Sequence, residues 1–434
     1  MKKVLIIANM FHASPRIPGL AKYLPSCGWK PIILTGSPVE ETFGKEFEVI
    51  QTHFPEALVS WKKRLHLDPN IGFQKQIGIP FLIRENRLSL TTKLVNTVKA
   101  VITYPDEHKS WKYFAIAAAN QFLRREKVDA IISSSSPVIS HVIANALKSQ
   151  HKLPWIAELR DPWSQNHNYQ YGLLRRTLDK RLELRTLRFA DALITVSPVW
   201  AEQLQRLHGR EVVYEITNGF DPEQINRGAG VTPEFTITYT GNIYVGKQNY
   251  ELFFVAIRDL LLNSTMQSRD VRVRFYGLQN ETIDWTVNKL GLSDVVRQYG
   301  EIQRKSSFEM QRESQLLVVF NWNDPREKGV YPTKIFEYLA ARRPILLVGG
   351  SDNDALQRLL NETKAGMCGR RLEDIKSVLS DLYFEYKHTG EISYNGDMEQ
   401  IDKYSYRELA NKCAGILDTV IRQKEMPQKI FPNG

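Results

Sequence analysis

A chain of 434 residues exceeds the size at which one hydrophobic core keeps growing, so two or three domains are expected, and two is the count adopted. Apolar residues (42%) and charged residues (24%) exclude the disordered, collagenous and disulfide-scaffold classes, and three cysteines without close spacing, Cys27, Cys368 and Cys413, give no zinc or disulfide framework and point to a reducing compartment. No run of about twenty apolar residues is present to cross a membrane, and the formal net charge of +10 calls for phosphates of a small ligand, an anionic membrane face or nucleic acid, unless it is solvated surface charge.

The first ten residues, MKKVLIIANM, begin like a signal peptide, but their apolar core stops at Asn9, so they read as a first buried strand. Further runs rich in Val, Ile and Leu follow at 31–35, 129–132, 155–159 and 192–196, and in the second half at 212–216, 235–239, 271–276, 316–320 and 344–348. Short continuous apolar runs separated by longer amphipathic segments suit strands buried on both faces of parallel sheets. The fold class is therefore α/β, with two Rossmann-like doubly wound parallel-sheet domains facing a cleft. The boundary is expected in the Gly-, Pro- and Asn-rich tract 217–233, giving domains 1–215 and 216–403, and a last segment, 404–434, whose helix returns to the first domain. The tract 54–103, with Trp61, Phe73, Phe81 and many Lys and Arg, resists the alternation and reads either as a recognition insertion or as a plain surface excursion.

The sharpest segment is 321–350, NWNDPREKGVYPTKIFEYLAARRPILLVGG, which reads as strand end, loop, short helix and strand. Pro332 suits the first turn of a helix beginning near Thr333. Ile335, Phe336 and Leu339 share its apolar face, while Lys334 and Glu337, three apart, share a polar one. Unpaired amides at the helix start, together with Lys334, make a seat for a diphosphate, and the Glu337 carboxylate has acceptors for both ribose hydroxyls. The plain alternative is an exposed helical Lys–Glu pair. A second candidate is 239–247, YTGNIYVGK, where Gly241 and Gly246 let a phosphate approach the backbone and Lys247 neutralises it. No G-x-G-x-x-G opens either half, which argues against a nicotinamide enzyme.

Other residues carry weaker signals. Asp352 and Asp354 form a D-x-D pair, but a position after a strand and before a helix favours capping over metal binding. His12, in the first loop, is a better catalytic candidate than His141, which reads as structural. The serines of 133–137 offer either hydroxyls to an acceptor or a helix N-cap. The basic helix 173–188 either lies on an anionic bilayer or packs its leucines inward.

Across nearly all of its length the chain resembles the retaining glycosyltransferases of family 4. The carrying segments are GLAKYLPSCGWKPIILTG (19–36), SSSSPVISHVIANAL and PWIAELRDPW (133–163), FADALITVS (189–197), ITNGFD (216–221), YTGNIYVGK and PTKIFEYLAARRPIL. The resemblance implies a GT-B fold with the nucleotide held by the C-terminal domain and the acceptor by the N-terminal one. Glu337 would hold the ribose, Lys334 and Lys247 the diphosphate, and Arg16 and Gly19 would line the first loop beneath the phosphates. Asp161 would stand at the sugar-facing end of the first domain, near where many relatives keep a histidine. Many relatives also have an arginine where this chain has Asn242, and a glutamate where it has Gly329, so the backbone of Gly329, Val330 and Tyr331 would present amides instead.

The implied reaction moves a sugar from a nucleoside-diphosphate sugar to a glycan or lipid-linked acceptor, with retention and without a metal or other cofactor. Its setting would be bacterial surface polysaccharide or lipopolysaccharide synthesis in the cytoplasm at the inner face of the plasma membrane. A peripheral contact with an anionic membrane is an implied partner, and nucleic acid is not. Two rivals share the fold: a nucleotide-sugar epimerase, which would turn over donor alone, and a non-catalytic nucleotide-sugar-binding scaffold, which would bind donor without transfer.

Overall fold

The structure is a computed structural model that describes residues 1–38, 46–54, 101, 103–166, 172–225, 230–324, 327–352 and 354–425. Trp61, Phe73 and Phe81 of the irregular tract lie outside these residues. The chain forms two compact units: residues 1–196, 200–216 and 410–434 make the first, and 197–199 with 217–409 make the second.

The first unit runs β1 (Lys2–Ile7), α1 (Arg16–Tyr23), β2 (Trp29–Thr35), β3 (Glu48–Gln51), α2 (Trp111–Leu123), β4 (Ala130–Ser135), α3 (Ile139–His151), β5 (Trp155–Leu159), α4 (Leu173–Leu187), β6 (Ala192–Thr195), α5 (Pro198–His208) and β7 (Tyr214–Glu215). These strands form a 7-stranded sheet in the order β3-β2-β1-β4-β5-β6-β7, parallel throughout. Every apolar run predicted in this half is a strand, because a residue such as Leu5, Ile32, Ile131 or Leu193 must be covered on whichever face it occupies. The run 212–216, grouped with the strands of the second half but inside the expected first domain 1–215 save for its last residue, supplies only the two residues of β7, which pairs with β6 through Ile194 and Thr195 at the edge of the first sheet.

Inside this unit Arg16 and Glu158 form an ion pair (2.7 Å) whose side chains are 0% and 4% exposed. Removing Arg16 would leave the Glu158 carboxylate buried without its guanidinium. Arg16→Met is therefore expected to cost about 3–5 kcal/mol, read from the midpoint of urea denaturation at unchanged slope.

The second unit runs β8 (Phe235–Thr240), α6 (Tyr250–Leu262), β9 (Val271–Tyr276), α7 (Glu281–Lys289), β10 (Val296–Gly300), α8 (Arg304–Arg312), β11 (Leu316–Phe320), α9 (Thr333–Ala341), β12 (Ile345–Val348), α10 (Ala355–Thr363), β13 (Gly366–Gly369), α11 (Leu372–Thr389) and α12 (Met398–Asp402). A final helix, α13 (Tyr406–Glu425), begins in this unit and ends in the first. The 6-stranded sheet has the order β10-β9-β8-β11-β12-β13, again all parallel. One face is packed by aromatic rings, with Tyr239, Phe275 and Phe320 at centroid distances of 5.1–6.2 Å, and the other by Ile335, Phe336 and Leu339 of α9. β3, β10 and β13 have no counterpart among the predicted strands. Their sequences, EVIQ, VRQYG and GMCG, lie at or next to sheet edges and carry no continuous apolar run.

Candidate functional site

Each sheet reverses its strand order once, between β1 and β4 and between β8 and β11. In open parallel sheets ligands settle beyond the carboxyl ends of the strands at such a reversal. Each unit has a cavity of this kind.

The cavity of the second unit, about 360 Å³, is walled by Thr240, Gly241 and Asn242 after β8, Tyr276 and Gly277 at the end of β9, and Glu301 and Ile302 after β10. Arg304 and Ser307 of α8 and Lys334 and Glu337 of α9 complete it. The predicted helix is present as α9, and its apolar residues Ile335, Phe336 and Leu339 are fully buried, which leaves Lys334 and Glu337 to line the cavity. The helix is tied to the end of β8 by Tyr338, whose hydroxyl accepts the Thr240 N–H (2.9 Å).

Glu337 accepts hydrogen bonds from Arg304 Nη2 (3.0 Å) and from Gln311 Nε2 (3.3 Å), so both carboxylate oxygens are held by α8. Lys334 keeps some exposed surface as a residue, but its ammonium is enclosed, 3.7 Å from the centroid of the Tyr239 ring. That desolvation pulls its pKa down to about 7, and the nearby Glu337 carboxylate opposes the shift without cancelling it. Gly241 has φ +107°, and a Cβ there would meet the Lys334 Nζ at 2.8 Å. Gly277 faces it so closely that a Cβ would lie 2.3 Å from the Gly241 carbonyl oxygen. Asn242 Oδ1 accepts the Leu278 N–H (2.9 Å) and so clips the loops after β8 and β9 together. The floor of the cavity is thus backbone and ammonium, a surface suited to an anion.

Several expected donor contacts lie elsewhere. Lys247 is exposed, with its ammonium over the Trp322 ring (5.7 Å), and does not line the cavity. Gly329, Val330, Tyr331 and Thr333 lead into Lys334 without lining it. Tyr331 is buried edge-on against Phe336 (5.8 Å), and its carbonyl accepts from Asn218 Nδ2 (3.3 Å). Conversely, Tyr276, Gly277, Glu301, Ile302 and Arg304 were not anticipated. Of the D-x-D pair, Asp354 caps α10, its Oδ1 accepting the Gln357 N–H (2.9 Å), whereas Asp352 pairs with Arg370.

The cavity of the first unit, about 330 Å³, gathers Met10 after β1, Ser135, Ser136, Pro137 and Val138 after β4, and Asp161, Pro162, Trp163 and Asn166 after β5. Asp106, Glu107 and His108 and the α4 residue Asp179 complete the wall with Pro105. Asp161, picked from the sequence, is there, with Arg160 Nε 3.6 Å away. Asp106 was missed. Its carboxylate accepts the Ile139 N–H (2.7 Å) and the His108 N–H (2.8 Å), capping α3 from a distance, and burial raises its pKa in spite of these bonds. The capping role expected of the serines is therefore taken by Asp106, and Ser133 instead bonds His141 Nδ1 (2.7 Å) and accepts from Trp155 Nε1 (2.8 Å). His141 is structural, as expected: complete burial takes its pKa down to about 3.

His12 lies in a turn after β1, edge-on to Phe11 (4.8 Å), and is not among the residues lining this cavity. Arg16 and Gly19 belong to α1 rather than to a loop. Arg16 is consumed by Glu158, and the Gly19 N–H by the Pro15 carbonyl (2.8 Å).

The sequence of residues 80–224 matches the profile of Glycosyltransferase Family 4. No curated protein sequence is similar to the chain. Among solved structures, sucrose-phosphate synthase from Thermosynechococcus elongatus is similar over 98% of this chain and 100% of its own, at 13% identity and a TM-score of 0.61. HepE of Anabaena, in complex with UDP and glucose, is similar over 96% and 100%, at 12% identity and a TM-score of 0.61. The α,α-trehalose 6-phosphate synthase of Burkholderia multivorans is similar over 98% and 100%, at 11% identity and a TM-score of 0.60. Two doubly wound parallel sheets in one chain, matched end to end by these structures, define the GT-B glycosyltransferase fold. Within that class the chain resembles the family 4 enzymes, on the strength of the matched segment in its first half.

Proposed function

We propose that this protein is a glycosyltransferase that takes a sugar from a nucleoside-diphosphate donor and gives it to a glycan or lipid-linked acceptor in bacterial surface polysaccharide synthesis, on the cytoplasmic side of the membrane. The observation that carries the donor half is the joining of Gly241, Lys334 and Glu337, two of them a helical turn apart and the third almost a hundred residues earlier, in one cavity at the strand-order reversal of the second sheet.

On this reading Glu337 takes the ribose hydroxyls, exchanging its bonds to Arg304 and Gln311 for them. Lys334 meets the diphosphate over the Gly241–Gly277 contact. As the bond from sugar to phosphate breaks, negative charge accumulates on the departing diphosphate, and an ammonium already stripped of water and fixed against Tyr239 stabilises it with little reorganisation. Attack from the same face, with the donor phosphate receiving the acceptor's proton, gives retention, and Asp161 in the first unit orients the acceptor hydroxyl. The reaction is proposed to run without a metal, so a chelator should leave turnover unchanged.

The support for the class is the GT-B fold with the family 4 segment, and HepE is a relative of that fold captured with UDP and glucose. The test is a thermal-shift panel of UDP, GDP, dTDP and ADP sugars, because a ligand bound only by the folded chain raises its stability with concentration. Glu337→Ala is expected to weaken the best nucleotide by about 10- to 100-fold, the worth of hydrogen bonds to a charged group at about 1.5–3 kcal/mol. Titration calorimetry reads this directly, and unchanged affinity would remove Glu337 from the site.

A further inference from the structure

The two carboxylates of α4 both turn inward. Asp179, 2% exposed, pairs with Arg175 (2.9 Å), and Glu183, 0% exposed, accepts the Ser164 N–H (3.0 Å) and lies 3.4 Å from His208 Nε2. Every charge that the helix and its C-cap show to solvent is consequently positive: Arg176, Lys180, Arg181, Arg185 and Arg188. The leucines do not all pack inward as the simpler reading of the sequence expects. Leu187 does, but Leu173 is 82% exposed, Leu174 78% and Leu178 41%. Leu174, Leu178, Arg181 and Arg185 follow one another at helical spacing, so apolar and cationic groups share one outward stripe.

From this surface we infer that α4 is a docking face for an anionic lipid bilayer, with the leucines of its first two turns entering the headgroup boundary and the arginines seated on lipid phosphates. Exposed leucines beside arginines decide between the polyanions. A nucleic acid backbone rewards the cations but has nothing to offer Leu173 and Leu174, whereas an interfacial helix gains from both. Asp179, on the inner face of the same helix, lines the cavity of the first unit. The docking itself stands without the transferase reading, since it is measured without donor or acceptor.

The experiment is sedimentation of the full chain with vesicles of phosphatidylcholine alone or mixed with phosphatidylglycerol, at low and high salt. Binding is expected only with phosphatidylglycerol present, and should weaken steeply as salt rises. Each cation near the surface is worth about fivefold, so the double variant Arg181→Glu, Arg185→Glu should lose at least about tenfold in vesicle affinity. The variant Leu173→Ser, Leu174→Ser keeps the charge and should also bind more weakly, with an unchanged Tm because neither side chain is covered in the free protein. The inference is overturned by equal binding to neutral vesicles, by no binding to either, or by variants that bind as the parent does. Duplex DNA is the remaining arm: retention of DNA with the same sensitivity to the arginine variant and none to the leucine variant, on DNA or vesicles, would make the face a nucleic-acid site instead.

Discussion

Replacing Lys334 with alanine is expected to lower turnover at saturating donor by about 10² to 10³, equivalent to about 3–4 kcal/mol of transition-state stabilisation. The ammonium lies in a desolvated niche between the Tyr239 ring and Gly241, where its attraction for a phosphate is screened far less than that of an exposed lysine. The same desolvation makes the residue a titrating group, with a pKa near 7 in the unliganded protein. An anionic diphosphate favours the protonated form, so donor affinity should fall as pH rises through about 7. For folding the sign is opposite. Between about 7 and the ordinary 10.5 the unfolded chain holds the proton that the folded chain has lost, so this group adds stability as pH increases across that window. Lys334→Met should accordingly raise Tm at neutral pH while weakening donor binding and slowing turnover, a separation of stability from function that a merely structural lysine would not show. Near-full turnover of Lys334→Ala would end the donor assignment.

The second large effect is expected from a single methyl group. Gly277→Ala would place a Cβ 2.3 Å from the Gly241 carbonyl oxygen and 2.7 Å from its carbonyl carbon, and neither of these backbone atoms can step aside as a side chain would. The loop after β8 would have to move, although it is held by the Gly241 N–H to the Tyr276 carbonyl (2.6 Å) and by Asn242 to Leu278. Forced overpacking of this kind costs on the order of 1–3 kcal/mol, and the displacement falls on the floor of the donor cavity. We expect a lowered denaturation midpoint together with loss of nucleotide binding by calorimetry. A variant that binds nucleotide normally would show that the two loops need not touch.

What the sequence made legible follows from how local each signal is. The buried strands announce themselves as apolar runs, and α9 as a Pro332 start with Ile335, Phe336 and Leu339 on one stripe. Lys334, Glu337 and Gly241, which line one cavity, could be singled out because a helix period and a glycine turn are local patterns. Arg304, Gly277 and Tyr276 were not, since they come from α8 and β9, and only the sheet order brings them beside α9. Arg304, set within RKSSFEMQR, reads as an ordinary surface cation. Arg16 misled in the opposite direction: a basic residue at a helix start looks available, yet its partner Glu158 stands 142 positions later. Lys247 was misjudged because the turn after Gly241 carries its side chain to Trp322. Asp106 could not be recognised as the cap of α3 from either end of a 33-residue separation.

The path of α13 bears on how the polypeptide is made. From Ala410 onward this helix belongs to the first unit. Ala410, Cys413, Ala414, Leu417 and Val420 are buried, Asp418 bonds Lys2 (2.7 Å), and Asn411 bonds Cys27 (2.9 Å). A ribosome delivers the chain from its amino end, and domains commonly fold as they emerge. Here the half that emerges first is the last to be finished: its seam stays open through synthesis of the whole second unit, until the closing turns leave the tunnel and dock beside residues made some four hundred positions earlier.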